Sequence, residues 1–248
     1  MTQALPHVSL DSSRLVRFLT DLSVSKVQVS HRQFSDRLGQ LIDFSDSITL
    51  SQAHSQAPDV ENEDIAPFRD GVTEEFLRAR STIVQAAMRS FFPGSGPTRI
   101  KWPATGTGAP ADAASASEPY LKFYRAQQLD IDSKIRGLHL RTREAVSALS
   151  PRLARIAALD SALGDALAAH SRGYLSAVPR LLVRRLDYLY GQYQQRVDAG
   201  LQASSAWNDM REQLRREMQG LLLAEIEVRL LPALGLIEAL NEETPDED

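Results

Sequence analysis

Along most of the chain apolar residues recur every three to four positions, the period of an amphipathic helix with one buried face. From Asp11, a plausible N-cap, Leu15, Phe18, Leu19 and Leu22 share a face. Phe34, Leu38, Leu41 and Ile42 do the same in QFSDRLGQLIDFSDSITLS, and from Thr73, a second candidate cap, Phe76, Leu77, Ile83, Val84, Ala87 and Phe91 form a stripe. Three N-terminal helices follow from this pattern, with a short fourth through Ile48.

The C-terminal part predicts longer elements. Glu118 to Leu149 reads as one helix of about 45 Å, with Pro119 in its first turn, where a missing N–H costs nothing. Ser150 and Pro151 form a cap and first-position proline for the next helix, carrying Leu153, Ile156, Leu163 and Leu167. The stripe Leu175, Val178, Leu182, Leu186, Leu189, Tyr193, Val197 contains Pro179, which must kink that helix or begin it. After Ser205, Trp207, Leu214, Leu221 and Val228 fall seven apart, with Met210, Ala224 and Leu231 beside them and Glu217 as the polar member. Such a seam buries itself against another helix.

Breaks divide the chain. Five of 12 prolines and four of 13 glycines lie between positions 93 and 119, so 93–117 reads as a flexible linker. It separates an N-terminal helical region, 1–92, from a long-helix bundle, 118–240. Ser51 to Phe68 reads as a second loop, and 241–248 as a solvated acidic tail with five acids and no base. Strand signals are limited to Val27 and Val29, too few to outweigh a loop. The expected fold is all-α: a bundle of long amphipathic helices with coiled-coil-like C-terminal seams and a smaller N-terminal helical part.

Composition narrows the chemistry. The 248 residues are 43% hydrophobic and 24% charged, which fits a soluble globular chain. Zero cysteines exclude disulfides, thiolate metal sites and thiol nucleophiles. No apolar run approaches the roughly 18 residues of a spanning helix, and no signal peptide opens the chain, so a cytoplasmic location is expected.

Site motifs are scarce. None of His31, His54, His139 and His170 has a glutamate three positions earlier, so the Glu-x-x-His pairs of di-metal bundles are absent. His139 and His170 are expected at helix surfaces or bundle edges. Asp46 reads as an N-cap or an exposed turn residue ahead of Ser47 to Leu50. The glycine-rich FFPGSGPTRIKWP has Arg99 where a phosphate loop needs its second glycine, and a helix precedes it where a strand belongs. A loop folded back onto the bundle is the expected role of Arg99, Lys101 and Trp102. No cofactor, metal site or catalytic residue follows from these patterns, and no small-molecule ligand is inferred.

Charge is uneven. The net charge is −4, yet Lys134 to Arg185 holds ten bases and three acids. Arg152, Arg155, Arg180, Arg184 and Arg185 could therefore face a polyanion, although an acidic whole without a reader motif disfavours nucleic acid. The plainer reading has these arginines snorkelling over apolar seams and pairing with acids of neighbouring helices.

QFSDRLGQLIDFSDSITLS, SPRLARIAALDSALGDAL and VPRLLVRRLDYL together resemble an uncharacterised family of bacterial proteins, a domain of unknown function, over most of the chain. The resemblance implies an all-helical cytoplasmic protein and transfers no catalytic residues. Its members tend to be encoded beside envelope proteins, which implies a cytoplasmic partner of an envelope-associated assembly. The leading expectation is a non-enzymatic helical interaction or scaffold protein, self-associating or docking a helical partner through Trp207, Met210, Leu214, Leu221 and Val228. Polyanion binding through the arginines, and an enzyme with an unrecognised site, are the alternatives.

Overall fold

The computed structural model describes residues 14, 15, 41–55, 66–92, 94, 96, 98–104, 110 and 112–242. It is an all-α protein. Six helices can be given bounds: α1 Phe44–Ser55, α2 Ala66–Arg89, α3 Ala113–Ser147, α4 Pro151–Ser176, α5 Val178–Asp198 and α6 Ala203–Asn241. No strand occurs among the described residues. The helix expected from Asp11 falls mostly outside them, although Arg14 and Leu15 are helical and Leu15 is buried. The tail beyond position 242 lies outside them entirely.

The helices begin where caps and backbone chemistry place them, which corrects several boundaries. Asp43, not Asp46, caps α1. The Asp46 N–H donates to Asp43 Oδ1 at 2.8 Å and the Asp43 N–H donates to Asp46 Oδ2 at 3.1 Å, a reciprocal capping box. Residues 51–55, expected as loop, complete α1, and α2 starts at Ala66, seven residues before Thr73. Pro67 lies in its first turn, where a proline is tolerated, and the turns before Phe76 carry too few core residues to have shown in the pattern. Likewise α3 starts at Ala113, capped by Asp112, whose Oδ1 accepts from the Ser115 N–H at 2.7 Å. The Ser115 N–H and hydroxyl hold this carboxyl below the usual aspartate range. Pro119 is therefore inside the helix, not in its first turn. Two expected starts hold: Ser150 Oγ accepts from the Leu153 N–H at 3.1 Å, and Pro179 opens α5.

The chain forms two compact units, each assembled from three separate stretches. The first takes residues 1–36, 88–128 and 175–228; the second takes 37–87, 129–174 and 229–248. In the first unit the N-terminal half of α3, α5, and α6 as far as Val228 pack together. Tyr193 meets Trp207 at a ring separation of 5.4 Å, Arg196 pairs with Asp209 at 2.9 Å, and Arg185 pairs with Glu217 at 2.6 Å. From Arg185–Glu217 to the pairs Tyr193–Trp207 and Arg196–Asp209 the α5 index rises while the α6 index falls, so α5 and α6 are antiparallel. Both indices rise in Tyr120–Arg211 and Gln128–Glu225, so α3 and α6 run parallel there. The core of this unit includes Tyr124, Leu182, Leu189, Leu214, Met218, Leu221 and Leu222, each almost fully buried.

The second unit contains α1, most of α2, the C-terminal half of α3, nearly all of α4 and the end of α6. Here α3 and α4 form an antiparallel hairpin whose contacts include His139–Asp160 at 2.8 Å. Phe76, Ile83, Ile131, Ile135, Leu138, Leu153 and Leu236 are buried in it.

The turn between α5 and α6 depends on one glycine. Gly200 has φ +93°, its N–H donates to Val197 O at 2.9 Å, and the Leu201 N–H donates to Arg196 O at 3.0 Å. These are the paired bonds of a Schellman stop, whose left-handed residue tolerates no Cβ without strain. Gly200→Ala is expected to destabilise the first unit by about 1 kcal/mol. Urea unfolding followed by tryptophan emission measures it, since both tryptophans lie in that unit.

Candidate functional site

Four of the five seam residues proposed as a docking surface are core residues of the first unit. Trp207 and Met210 are 6% and 5% exposed, Leu214 and Leu221 are sealed, and Val228 is half-buried. The helix-pairing pattern is real, but this chain's own helices fill it. Glu217, the polar member, accepts both Nε and Nη2 of Arg185, at 2.8 and 2.6 Å, and Gln213 Nε2 at 3.0 Å. A bidentate pair of this kind is geometrically specific and leaves Arg185 little to offer a ligand.

The other arginines do not gather in one unit. Arg152 and Arg155 lie on α4 in the second unit, whereas Arg180 and Arg184 lie on α5 in the first; all four are exposed.

Two polar clusters escaped the pattern. In the first unit, Glu225 is fully buried and accepts hydrogen bonds from Tyr124 Oη at 3.0 Å and from Gln128 Nε2 at 3.0 Å to each oxygen. Gln128 also donates to Leu175 O at 3.2 Å. In the second unit, Asp160 Oδ2 lies 2.8 Å from His139 Nε2 and accepts from Arg143 Nε at 2.8 Å, while Arg143 Nη1 reaches Ser161 Oγ at 3.2 Å. His139 is thus engaged between helices, not set at a bare edge. Position 139 precedes the Leu149–Ser150 turn by about as much as 160 follows it, so a hairpin folded there faces the two together. That symmetry was the available signal. Among the described residues no three His, Asp or Glu side chains converge as metal ligands.

A cleft of about 260 Å³ opens in the first unit between α6 and the loop after α2. Asn208, Arg211, Glu212 and Arg215 line its helical side, at i, i+3, i+4 and i+7, and Trp102, Pro103 and Ala104 line the other. The loop is pinned by Trp102, which packs within 5.5 Å of the rings of Phe91, Tyr120 and Phe123, and its N–H donates to Ser90 O at 2.8 Å. The segment is therefore folded back, as expected, with Arg99 and Lys101 exposed beside the buried indole. Its glycines turn the backbone: Gly94 and Gly96 have φ +92° and +126°. Arg211 Nε donates to Tyr120 Oη at 2.7 Å and Nη2 donates to Pro103 O at 2.9 Å. Burial raises the Tyr120 phenol above its ordinary value against the pull of that guanidinium.

Over residues 1–242 the chain matches the family described as protein of unknown function (DUF3348). The chain belongs to this family. The match spans both units. No curated protein and no solved structure matches the chain. No described helix is long and apolar enough to cross a membrane.

The Asp160 cluster has a signed consequence with pH. Desolvation works to raise this carboxyl, but the hydrogen bonds and charges of His139 and Arg143 together outweigh it and hold the pKa below the ordinary value. A depressed folded-state pKa contributes stability that is present above the unfolded value and lost as pH falls through the folded one. Asp160→Asn is therefore expected to destabilise the α3–α4 hairpin at neutral pH by about 2 kcal/mol. Hydrogen exchange of the 129–174 amides should show that difference shrinking as the wild-type carboxyl protonates.

Proposed function

We propose that this chain is a non-enzymatic helical interaction protein that pairs with a second copy of itself along the outer stripe of α3. The observation that carries the reading is the exposure of Leu129, at 73%, and of Leu140, at 51%. Eleven residues is three helical turns within about 20°, so the two leucines share one face, with Ser133 and Arg136 between them. Among the described residues, nine of the twelve exposed large hydrophobic side chains lie in the same second unit, which is the more apolar-surfaced of the two.

Charge complementarity favours a second copy as the occupant. Arg136 pairs with Asp132 on its own helix at 2.6 Å, and both flank the leucine stripe on one side. An antiparallel two-fold pairing centred between Lys134 and Ile135 sets Leu129 of each copy against Leu140 of the other. It also brings each Arg136 alongside the other copy's Asp132, whose Oδ1 is held by Arg229 of that same copy and whose Oδ2 faces Arg136. A second unit surfaced in this way suits a cytoplasmic chain that works by assembly, as the sequence leads one to expect. Polyanion binding through the arginines has less support, because Arg185 already holds Glu217.

Two leucines per copy bury well under the roughly 1,200 Å² of a stable complex, so the pairing is a weak, concentration-dependent one. Size exclusion with light scattering, run from about 1 to 200 µM, should show the 27.5 kDa chain rising toward twice its mass. Leu129→Lys should abolish the rise and Arg136→Glu should weaken it. A monomer mass throughout that range refutes the reading.

A further inference from the structure

We infer that the cleft between α6 and the Trp102 loop is a binding site for a small organic monocarboxylate whose apolar body lies against Trp102, Pro103 and Ala104. The inference is independent of self-association, since it concerns residues of the first unit alone.

Arg211 keeps donors that its own contacts leave unused. Tyr120 Oη and Pro103 O take the Nε and Nη2 hydrogens on one edge of the Arg211 guanidinium. Those two bonds fix the plane of the fork and leave its other edge, Nη1 and the second Nη2 hydrogen, to donate. Among the described residues that edge has no partner. Two parallel N–H groups at a fixed spacing are the geometry that a carboxylate accepts bidentately. Arg211 is thus preorganised at little further entropic cost, which is the usual source of affinity in a small site.

Arg215 lies one turn further along and is held as well. Its guanidinium carbon sits 5.0 Å from the centroid of the Phe92 ring, and Nη2 pairs with Glu212. Two arginines on one helical face repel, and a single glutamate compensates for only one of them. The lining therefore carries two positive charges and one negative, a surplus of +1. One carboxylate neutralises that surplus. A phosphate dianion overshoots it and places excess negative charge beside Glu212. Exposed Arg99 and Lys101, on the same loop, add to the local field that draws an anion in.

Size and lining set the body of the ligand. At about 260 Å³ the cleft is slightly smaller than the roughly 300–1,000 Å³ of drug-sized sites, so it suits a molecule of about ten heavy atoms. The loop side offers an indole edge, a proline ring and a methyl group, all apolar, while Asn208 can hydrogen-bond at the far end of the helical side. A flat or compact apolar acid satisfies every wall.

Benzoate is a suitable probe, with phenyl phosphate and benzyl alcohol as controls of altered charge. Titration of the full chain is followed by the Trp102 indole N–H resonance, assigned in a Trp207→Phe background. Benzoate is expected to shift it saturably with a Kd of about 1 mM, the affinity typical of nine heavy atoms. Phenyl phosphate should bind more weakly and benzyl alcohol not at all. Arg211→Lys keeps the charge but loses the fork, and Arg215→Gln leaves the Arg211 clasp intact; each should weaken benzoate about tenfold. The proposal is overturned by no saturation up to about 20 mM, by an equal response to benzyl alcohol, by tighter binding of phenyl phosphate, or by benzoate binding unchanged in Arg215→Gln.

Discussion

A buried helix face can carry an ionisable group only where its neighbours receive it, and the inner face of α6 is such a place. Leu221, Leu222, Ala224, Glu225 and Ile226 are sealed over an arc of about 200° with Glu225 at its centre, while Leu223 is half-buried and Glu227 exposed on the opposite side. Glu225 therefore has no route to water, and burying an unsatisfied carboxylate would cost several kcal/mol. Tyr124 and Gln128 meet it from α3, one turn apart on a single face, and together place three hydrogen bonds on its two oxygens. Those residues must then sit at one height along α6, which fixes the register of α3 in the first unit.

The same logic sets the other helix pairs. Apolar stripes that repeat every three to four residues can slide past each other by a turn at modest cost, because leucine replaces leucine. A bidentate Arg185–Glu217 pair cannot, since one turn of slip removes both bonds and leaves two half-buried charges alone. In the second unit Asp132 bonds Arg229 at 2.5 Å as well as Arg136, and Asp160 holds His139 and Arg143. Two of the arginines between positions 134 and 185, Arg143 and Arg185, thus serve register. A local charge surplus in sequence counts side chains before their partners from distant helices have arrived.

This explains what could be read in advance. The all-helical class, the Ser150 cap, the Pro179 start and the burial of Leu182, Leu186 and Leu189 were legible, because each follows from a period or a cap within one stretch of chain. The start of α3 was not, because the residues ahead of Glu118 are small and polar and only the Asp112 cap marks them. The cleft was invisible for a different reason: it joins Trp102 to Arg211, more than a hundred positions apart, and no local period encodes that meeting. The seam from Trp207 to Leu221 was correctly read as helix-pairing, yet a stripe does not say whether the pairing helix belongs to the same chain.

The distinction turns on what remains uncovered, and the two units differ in that respect. None of the described side chains of α1 is buried; Leu50 and Ala53 are half-covered and Ile48 is 44% exposed. Its capping box contributes about 1 kcal/mol, yet an isolated 12-residue helix is marginal in water even with good formers. The stretch of α4 from Leu163 to Tyr174 likewise contains no buried residue. Helices of a compact unit gain most of their stability from an apolar face pressed on a neighbour. The first unit supplies that neighbour to its seam in full. The second leaves leucines and aromatic rings exposed among its described residues, and covering them would stabilise it further.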